Sequence, residues 1–445
     1  MPIFNIPIRK ADYFSWGLEE LNFGNQEQIL DYANFVSEVK SGAKYLQTVC
    51  IADLVNFFDS LAEDWIAPNS AFMKRYSKLG VAFLLNFIRK ENLERLLEIS
   101  LRGNINYIDN FCDVLILGKK MMAHPRGIVT HWLAGNVPVL GMISLITGML
   151  TKNANIIKLP KEYGLVLPCM VAEFAGHKIK KIDGRILDGG QLINSVRCVY
   201  CEKDDLVSQG LLSSHADVRV AWGGREAVEA VLSLPKHYGT EDVIFGPKYS
   251  FVLIGRNSFD LEELDKIAYR LALDASVFEQ RGCNSPHTVF VEEGGQIDAL
   301  GFSKALAKGM DRALKRIPKQ EISAGEAYAI ANIRSEYNFS GEVFSSKGTE
   351  WTIIYSQQEE LANPCYSRVL FVRPIRDIYR ILNFIDKQKQ TLGLLIDETR
   401  KLEFVKAITA KGIERVTDIG KMSLFDYPWD GMFPIDRFIR WVSLS

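Results

Sequence analysis

Residues 127–150 read Gly127-Ile-Val-Thr-His131-Trp132-Leu-Ala-Gly135-Asn136-Val-Pro138-Val-Leu-Gly-Met-Ile-Ser-Leu-Ile-Thr-Gly-Met-Leu150. From Val129 to Leu150 there are 22 residues without Lys, Arg, Asp or Glu, which is enough to span a bilayer. The same stretch holds His131, Asn136, Pro138 and three glycines, and no basic cluster flanks it. An Asn and a Pro near the middle of a lone span are costly. The reading is therefore a buried strand, turn and helix of a soluble domain, with no membrane span. Gly127 to Trp132 has the β-branched texture of a strand. Asn136 suits the turn before a helix and Pro138 its first position, so a helix is expected over Pro138 to Leu150.

Strands alternate with helices outward from this point. Asn155-Ile-Ile-Lys158, Val196-Arg-Cys-Val-Tyr200, Val218-Arg-Val-Ala-Trp222 and Ser250-Phe-Val-Leu-Ile254 read as strands, and Glu226 to Leu234 as a helix. That order predicts an α/β fold with a mainly parallel sheet and helices on both faces. A second α/β unit begins after Gly255. It has helices over Leu261 to Phe278 and Ile375 to Asp386, and strands at Thr288–Glu292, Thr352–Tyr355, Arg368–Val372 and Gly393–Ile396. Residues 11–110 read as mostly helical. The aromatic C-terminal segment, 421–445, is expected to return to the first domain.

The chain has 445 residues, with 53 Lys plus Arg against 54 Asp plus Glu. A net charge of -1 supplies no field for nucleic acid or an anionic membrane surface. Seven scattered cysteines form no disulfide framework, and the N-terminus lacks the features of a signal peptide. A reducing cytoplasm is the expectation.

Chemistry-bearing residues cluster in a few motifs. In Glu279-Gln-Arg-Gly282-Cys283-Asn-Ser-Pro-His287, Gly282 permits a sharp turn that projects a thiol, with backbone N–H groups close by. A thiolate both attacks and leaves well in thioester and aldehyde chemistry. The alternative is a structural cysteine, as most lone cysteines are. His287 reads as a partner of the thiol or as a hydrogen-bonded structural residue. Cys198 and Cys201, at a strand end, read as core or edge residues. Asn136 reads as a helix cap or as an amide donor beside a reacting carbonyl. Lys158 and Lys161 follow a buried strand, where an open α/β sheet faces its ligand crevice; the alternative is solvated turn lysines. Gly223-Gly224 joins a strand to a helix, where backbone amides approach a phosphate or merely make a turn.

Taken in order, His131-Trp-Leu-Ala-Gly-Asn136-Val-Pro, Asn155-Ile-Ile-Lys158, Ala221-Trp-Gly223-Gly224, Phe245-Gly-Pro-Lys-Tyr-Ser, Gln280-Arg-Gly-Cys283-Asn-Ser-Pro-His287 and Trp429-Asp-Gly resemble the aldehyde dehydrogenase superfamily. The resemblance is closer to its LuxC-type branch, the acyl-CoA reductase subunit of the bioluminescence fatty acid reductase. It runs from about residue 120 to the C-terminus. It implies a helical N-terminal region (1–110), a Rossmann-like NADP-binding domain (111–255), a catalytic domain (256–420) and a C-terminal segment (421–445) returning to the first domain. It implies that Cys283 accepts the acyl group, with Asn136 and the Cys283 backbone N–H as oxyanion hole; His287, four residues on, stays a candidate partner of the thiol. Lys158, Lys161, His131, Trp222, Gly223 and Gly224 would lie at the cofactor.

Two departures from the oxidising dehydrogenases matter. Their general base would fall at Ile244, which takes no proton, so a thioester on Cys283 should exchange with a thiol rather than hydrolyse. Glu241 and Asp242 lie close by in sequence. NAD-preferring members tend to carry Glu where this chain has Lys161, and a cation suits the 2′-phosphate of NADPH. Glu162 next door keeps NADH as the alternative. The implied reaction is NADPH-dependent reduction of an acyl thioester, from acyl-CoA or an acyl-protein, to the aldehyde. An acyl-protein synthetase and an acyl-transferase are the implied partner class, and a homo-oligomer is expected. The competing readings are an oxidative aldehyde dehydrogenase and a non-catalytic scaffold in an acyl-transfer complex.

Overall fold

A computed structural model describes residues 3–4 and 32–445, except 136, 163 and 164. The chain divides into two compact units: residues 1–246 with 426–428 and 432–445, and residues 247–425 with 429–431.

The first unit is built on a six-stranded sheet. Its strands are β1 (Ile3–Phe4), β2 (Ile128–Trp132), β3 (Ala154–Lys158), β4 (Val196–Val199), β5 (Val218–Trp222) and β6 (Glu241–Phe245), in the order β1-β4-β3-β2-β5-β6. All pairs are parallel except β1 with β4. Every residue of β2 and β5 is buried, as a sheet covered on both faces requires. The chain runs from β2 out to β4, then returns to the other side of β2 for β5 and β6. That reversal is the point where an open α/β sheet holds its ligand.

The 22-residue uncharged stretch resolves into β2, a loop and α1 (Pro138–Leu150), with Pro138 in the first turn and eleven of the helix's residues buried. No helix among the described residues is long and apolar enough to cross a membrane. Five α-helices between Tyr32 and Ser100 separate β1 from the rest of the sheet. Strand Ile439–Leu444 pairs antiparallel with Lys119–Pro125, which also pairs with Cys112–Val114.

The second unit holds seven strands: β7 (Tyr249–Ile254), β8 (Pro286–Glu292), β9 (Glu342–Ser345), β10 (Thr352–Tyr355), β11 (Val369–Ile375), β12 (Lys389–Leu395) and β13 (Arg415–Thr417). They lie in the order β9-β10-β11-β8-β7-β12-β13, parallel except at β9. Its core gathers Val252, Val289, Leu370 and Val372 under Leu271, Phe302 and Leu306.

The structure departs from the sequence reading at one strand and two helices. Ser250–Ile254, read as a strand of the first domain, lies in β7, between β8 and β12 in the second unit's sheet. Instead of one helix over Leu261–Phe278, a 3-10 turn leads into α2 (Leu264–Ser276). The chain then leaves helical geometry, with φ of 54° at Phe278 and Glu279. Instead of an α-helix over Ile375–Asp386, β11 continues through Pro374 to Ile375, and a 3-10 helix, Ile378–Phe384, follows, capped by Asp377. Ala299–Arg316, Ala324–Tyr337 and Glu398–Lys411 are helices that the sequence reading did not name. The second carries a signal that could have found it, a capping box of Ser323 and Glu326.

Candidate active site

Cys283 lies between the end of α2 and the start of β8. The turn that delivers it is strained: Phe278, Glu279 and Gln280 all have positive φ, as do Tyr366, Ser367 and Arg368. Residues in that region cost of order 1–3 kcal/mol each and persist only where the surroundings fix them. The surroundings here are charged and buried. The Arg368 guanidinium, 0% exposed, donates to both oxygens of Glu279 at 2.6 and 2.9 Å. Lys319 Nζ adds a third contact at 2.8 Å, and the Ser367 N–H donates to the Glu279 carbonyl at 2.9 Å. Gln280 Nε2 donates to the carbonyls of Pro286 and Val369, tying the turn to β8 and β11. A Cβ on Gly282 would come within 2.7 Å of Asn284 Oδ1, which accounts for the glycine before the cysteine.

The Cys283 carbonyl accepts from Ser250 Oγ at 2.7 Å, and Asn284 Nδ2 donates to the Met422 carbonyl at 2.8 Å. The thiol itself is half-buried. Burial, aided by the negative charge of Asp430, pushes it up to about 12. The Gln390 amide and the backbone N–H groups of Cys283 and Asn284 work in the other direction, as donors that favour a thiolate. Asp430, at φ 48°, accepts a short hydrogen bond from Gln390 Nε2 on one oxygen; its Oδ2 is buried and has no partner. Burial pushes Asp430 up to about 6. Neither Asp430 nor Gln390 was singled out from sequence, although Trp429-Asp-Gly is among the motifs of the resemblance.

His287 stands on β8. Burial holds it down to about 4, its Nδ1 has no partner, and its ring is flanked by Tyr249 and Tyr366 at 5.4 Å. No hydrogen bond joins it to Cys283 among the described residues.

The residues expected at a cofactor belong to the first unit. Leu133, Gly135, Pro138, Pro160 and Glu162 line a crevice at the carboxyl ends of β2 and β3. Asn136 falls outside the described residues. Lys158, the last residue of β3, is half-buried, and burial lowers its pKa against the pull of Cys201 and Glu202. Lys161 and Glu162 are exposed. Gly223 and Gly224 lead from β5 into the helix Arg225–Ser233, and a Cβ on Gly224 would meet nothing within 4 Å.

His131 is a brace rather than an open ligand. It is 0% exposed, and its two ring nitrogens meet Ser144 Oγ at 2.8 Å and Asn155 Oδ1 at 3.2 Å. Burial brings it down to about 4. Trp222 donates from Nε1 to the same Ser144 hydroxyl at 3.3 Å and stacks on Phe245 at 3.7 Å. The edge of the sheet beside Ile244 offers no open base: Asp242 is paired with Arg219 and Lys236, and Glu241 with Arg126 and Arg437. Cys198 and Cys201 are buried, and burial raises their thiols to about 12 and about 11. No group of three or more His, Cys, Asp or Glu among the described residues is placed to hold a metal.

Comparison with known proteins narrows the setting. The family model described as acyl-CoA reductase (LuxC) matches residues 46–441. The long-chain acyl-protein thioester reductase of Vibrio harveyi is 30% identical over 329 residues, covering 72% of this chain and 65% of that protein. The protein of the same description from Aliivibrio fischeri is 29% identical over 331 residues, covering 72% and 64%. The chain thus spans somewhat under two thirds of the length of these relatives. The fold is that of an aldehyde dehydrogenase from Brucella melitensis biovar abortus 2308, at a TM-score of 0.63, 10% identity, and coverage of 93% of this chain and 89% of that one.

Proposed function

The chain belongs to the acyl-CoA reductase (LuxC) family, and from that premise we propose that it reduces an acyl thioester to the aldehyde through an acyl group carried on Cys283. The observation that carries this reading is the Cys283 turn, a strained backbone clamped by a buried ion pair, with two backbone N–H groups and the Gln390 amide aimed at the sulfur. Such a constellation suits a sulfur that gains charge as it leaves an acyl group. The Cys283 backbone N–H is proposed to hold the oxyanion of a tetrahedral intermediate as well. Asn136 is proposed to share that role, as the resemblance implies.

The crevice at the ends of β2 and β3 and the open approach above Gly224 fit a nicotinamide cofactor. Lys158 and Gly223-Gly224 would hold its ribose and phosphates, and Lys161 would meet a 2′-phosphate, which favours NADPH over NADH. When bound, the cofactor supplies hydride. His131 and Trp222 act on the crevice through Ser144, by fixing β2 and β5 against α1. The chain's task is to keep the acyl carbon on sulfur for hydride to reach and to keep water from taking it first. The paired state of Glu241 and Asp242, with Ile244 between them and the cofactor turn, supports reduction over oxidative hydrolysis.

The acyl donor is proposed to be a fatty acyl-CoA or an acyl-protein, the latter because the relatives are described as acyl-protein thioester reductases. An acyl-protein synthetase and an acyl-transferase are the corresponding partners. The exposed Leu115, Ile116 and Leu117 beside strand Cys112–Val114 suit a homo-oligomer contact, and seven free thiols suit a reducing cytoplasm. The test is acyl-dependent NADPH oxidation over a panel of acyl-CoAs, with NADH in parallel. Wild type should form aldehyde, and Cys283→Ala should form neither aldehyde nor acyl-enzyme. Turnover by Cys283→Ala at the wild-type rate sinks the proposal.

A further inference from the structure

The resting thiol poses a problem. Burial and the nearby Asp430 charge push it up, so at neutral pH it rests as the thiol rather than the thiolate. A thiol so held reacts at a useful rate only if a base removes its proton as the sulfur attacks. The residue that serves as base in the oxidising relatives corresponds to Ile244, and the carboxylates next to it are consumed in ion pairs. His287 neither hydrogen-bonds to the thiol nor figures among the charges that shift it.

One carboxylate does bear on the sulfur. Asp430 lies at the tip of the Trp429–Gly431 segment, which belongs with the second unit although the residues on either side belong with the first. Gln390, at the start of β12, touches both groups: its Nε2 donates to Asp430, and its amide faces the Cys283 sulfur. Two groups that share one amide lie on the order of 5 Å apart, a gap that one water spans. Asp430 Oδ2 is buried, unpartnered and therefore free to take a proton. The other groups that face this pocket are accounted for. Lys248 donates to Glu414 and to the Lys387 carbonyl, both at 3.0 Å, and the charges of Lys248 and Glu414 pull Asp430 in opposite directions. Arg415 is held over the Trp429 ring and donates to the Met422 and Lys421 carbonyls.

We propose that Asp430 is the proton carrier of thioester exchange, taking the Cys283 proton as the sulfur attacks and returning it to the departing thiolate, with Gln390 fixing its other oxygen. The inference rests on the reading of Cys283 as acyl acceptor. The step balances: the Cys283 S–H bond breaks, a C–S bond forms to the acyl carbon, the donor C–S bond breaks, and the donor sulfur leaves as a thiol with the carried proton. No oxidant or reductant takes part. The left-handed φ at Asp430 is then the strain that aims a carboxylate at the sulfur.

The experiment is a single-turnover acylation with octanoyl-CoA. Acyl-Cys283 is followed by mass spectrometry from pH 5 to 8, beside alkylation of the same thiol by iodoacetamide. In wild type, acylation should rise with pH through about 6, the value to which Asp430 is pushed, because only the carboxylate accepts a proton. Asp430→Asn should lose that rise and acylate about 100-fold more slowly at pH 7. Asp430→Glu should recover part of the rate. If Asp430→Asn acylates as fast as wild type, the proposal is overturned. An acylation rate in wild type that is flat from pH 5 to 7 overturns it whether or not the variants fold. If wild type alkylates but takes no acyl group, the acyl-acceptor reading has failed and the proposal falls with it, a result distinct from the other two.

Discussion

The two units build their candidate sites from different materials. The crevice of the first unit is made of backbone: strand ends, glycines and a proline-led helix, with space above Gly224. The pocket of the second unit is made of buried charge, which holds six left-handed residues in two facing runs, Phe278–Gln280 and Tyr366–Arg368. A backbone crevice should respond to substitution in ligand affinity, with the fold intact. A pocket held by buried ions should respond first in stability. The sharpest way to break this contrast is Arg368→Met, which leaves the Glu279 carboxylate with Lys319 and the Gln320 N–H. Removing one partner of a buried pair costs about 3–5 kcal/mol, so urea denaturation should show a loss of that size and Cys283 should lose its acylation with it. Replacing both partners, Glu279→Leu with Arg368→Leu, should cost less than the single change. A single variant as stable as wild type would mean that the left-handed runs stand without the ion pair.

The same division explains what the sequence allowed to be read. In the first unit the strands carry apolar residues on both faces and the turns carry Gly, Asn and Pro, so β2, α1, β3 and β5 were legible within a residue or two. The Cys283 motif was legible because Gly282 precedes the cysteine at the end of a helix. The residues that hold it were not. Glu279 and Arg368 are 89 positions apart, and nothing local marks either as buried. Gln390 looks like an ordinary polar residue at a strand start, and Asp430 like a turn residue. His131 meets the same limit: a histidine at a strand end facing the crevice and one filling its ring nitrogens with Ser144 and Asn155 are written identically.

Asp274 sharpens the contrast at smaller amplitude. It is buried near the end of α2 and accepts backbone N–H groups from Gly420, Met422 and Ser423, yet burial outweighs those bonds and raises it to about 7. The loop it holds supplies the Met422 carbonyl that anchors Asn284, next to Cys283. A carboxyl raised on folding stabilises the fold while protonated and loses that contribution as pH rises through its folded value. Stability in urea should therefore fall by roughly 2–3 kcal/mol from Asp274 between pH 5 and pH 8. Asp430, raised to about 6, adds in the same direction. Asp274→Asn should remove its share of the slope and leave that of Asp430. An unchanged slope in the variant would place the titration elsewhere.

The smallest effect is expected on the backbone side, at Lys161. Its side chain is exposed, as is that of Glu162, and neither packs into the core. Reversing its charge with Lys161→Glu should leave stability within about 0.5 kcal/mol of wild type. The consequence is confined to recognition. A 2′-phosphate near neutral pH carries close to two negative charges, so a carboxylate in place of the ammonium repels it, while the free 2′-hydroxyl of NADH can donate to that carboxylate. The ratio of kcat/KM for NADPH over NADH should drop by roughly 10-fold, about 1.4 kcal/mol, mostly through KM. If the ratio does not move, Lys161 lies away from the 2′-position and Lys158 is left as the cation at the end of β3. If the variant unfolds instead, the crevice depends on charge as the Cys283 pocket does, and the distinction between the two units fails at its weakest point.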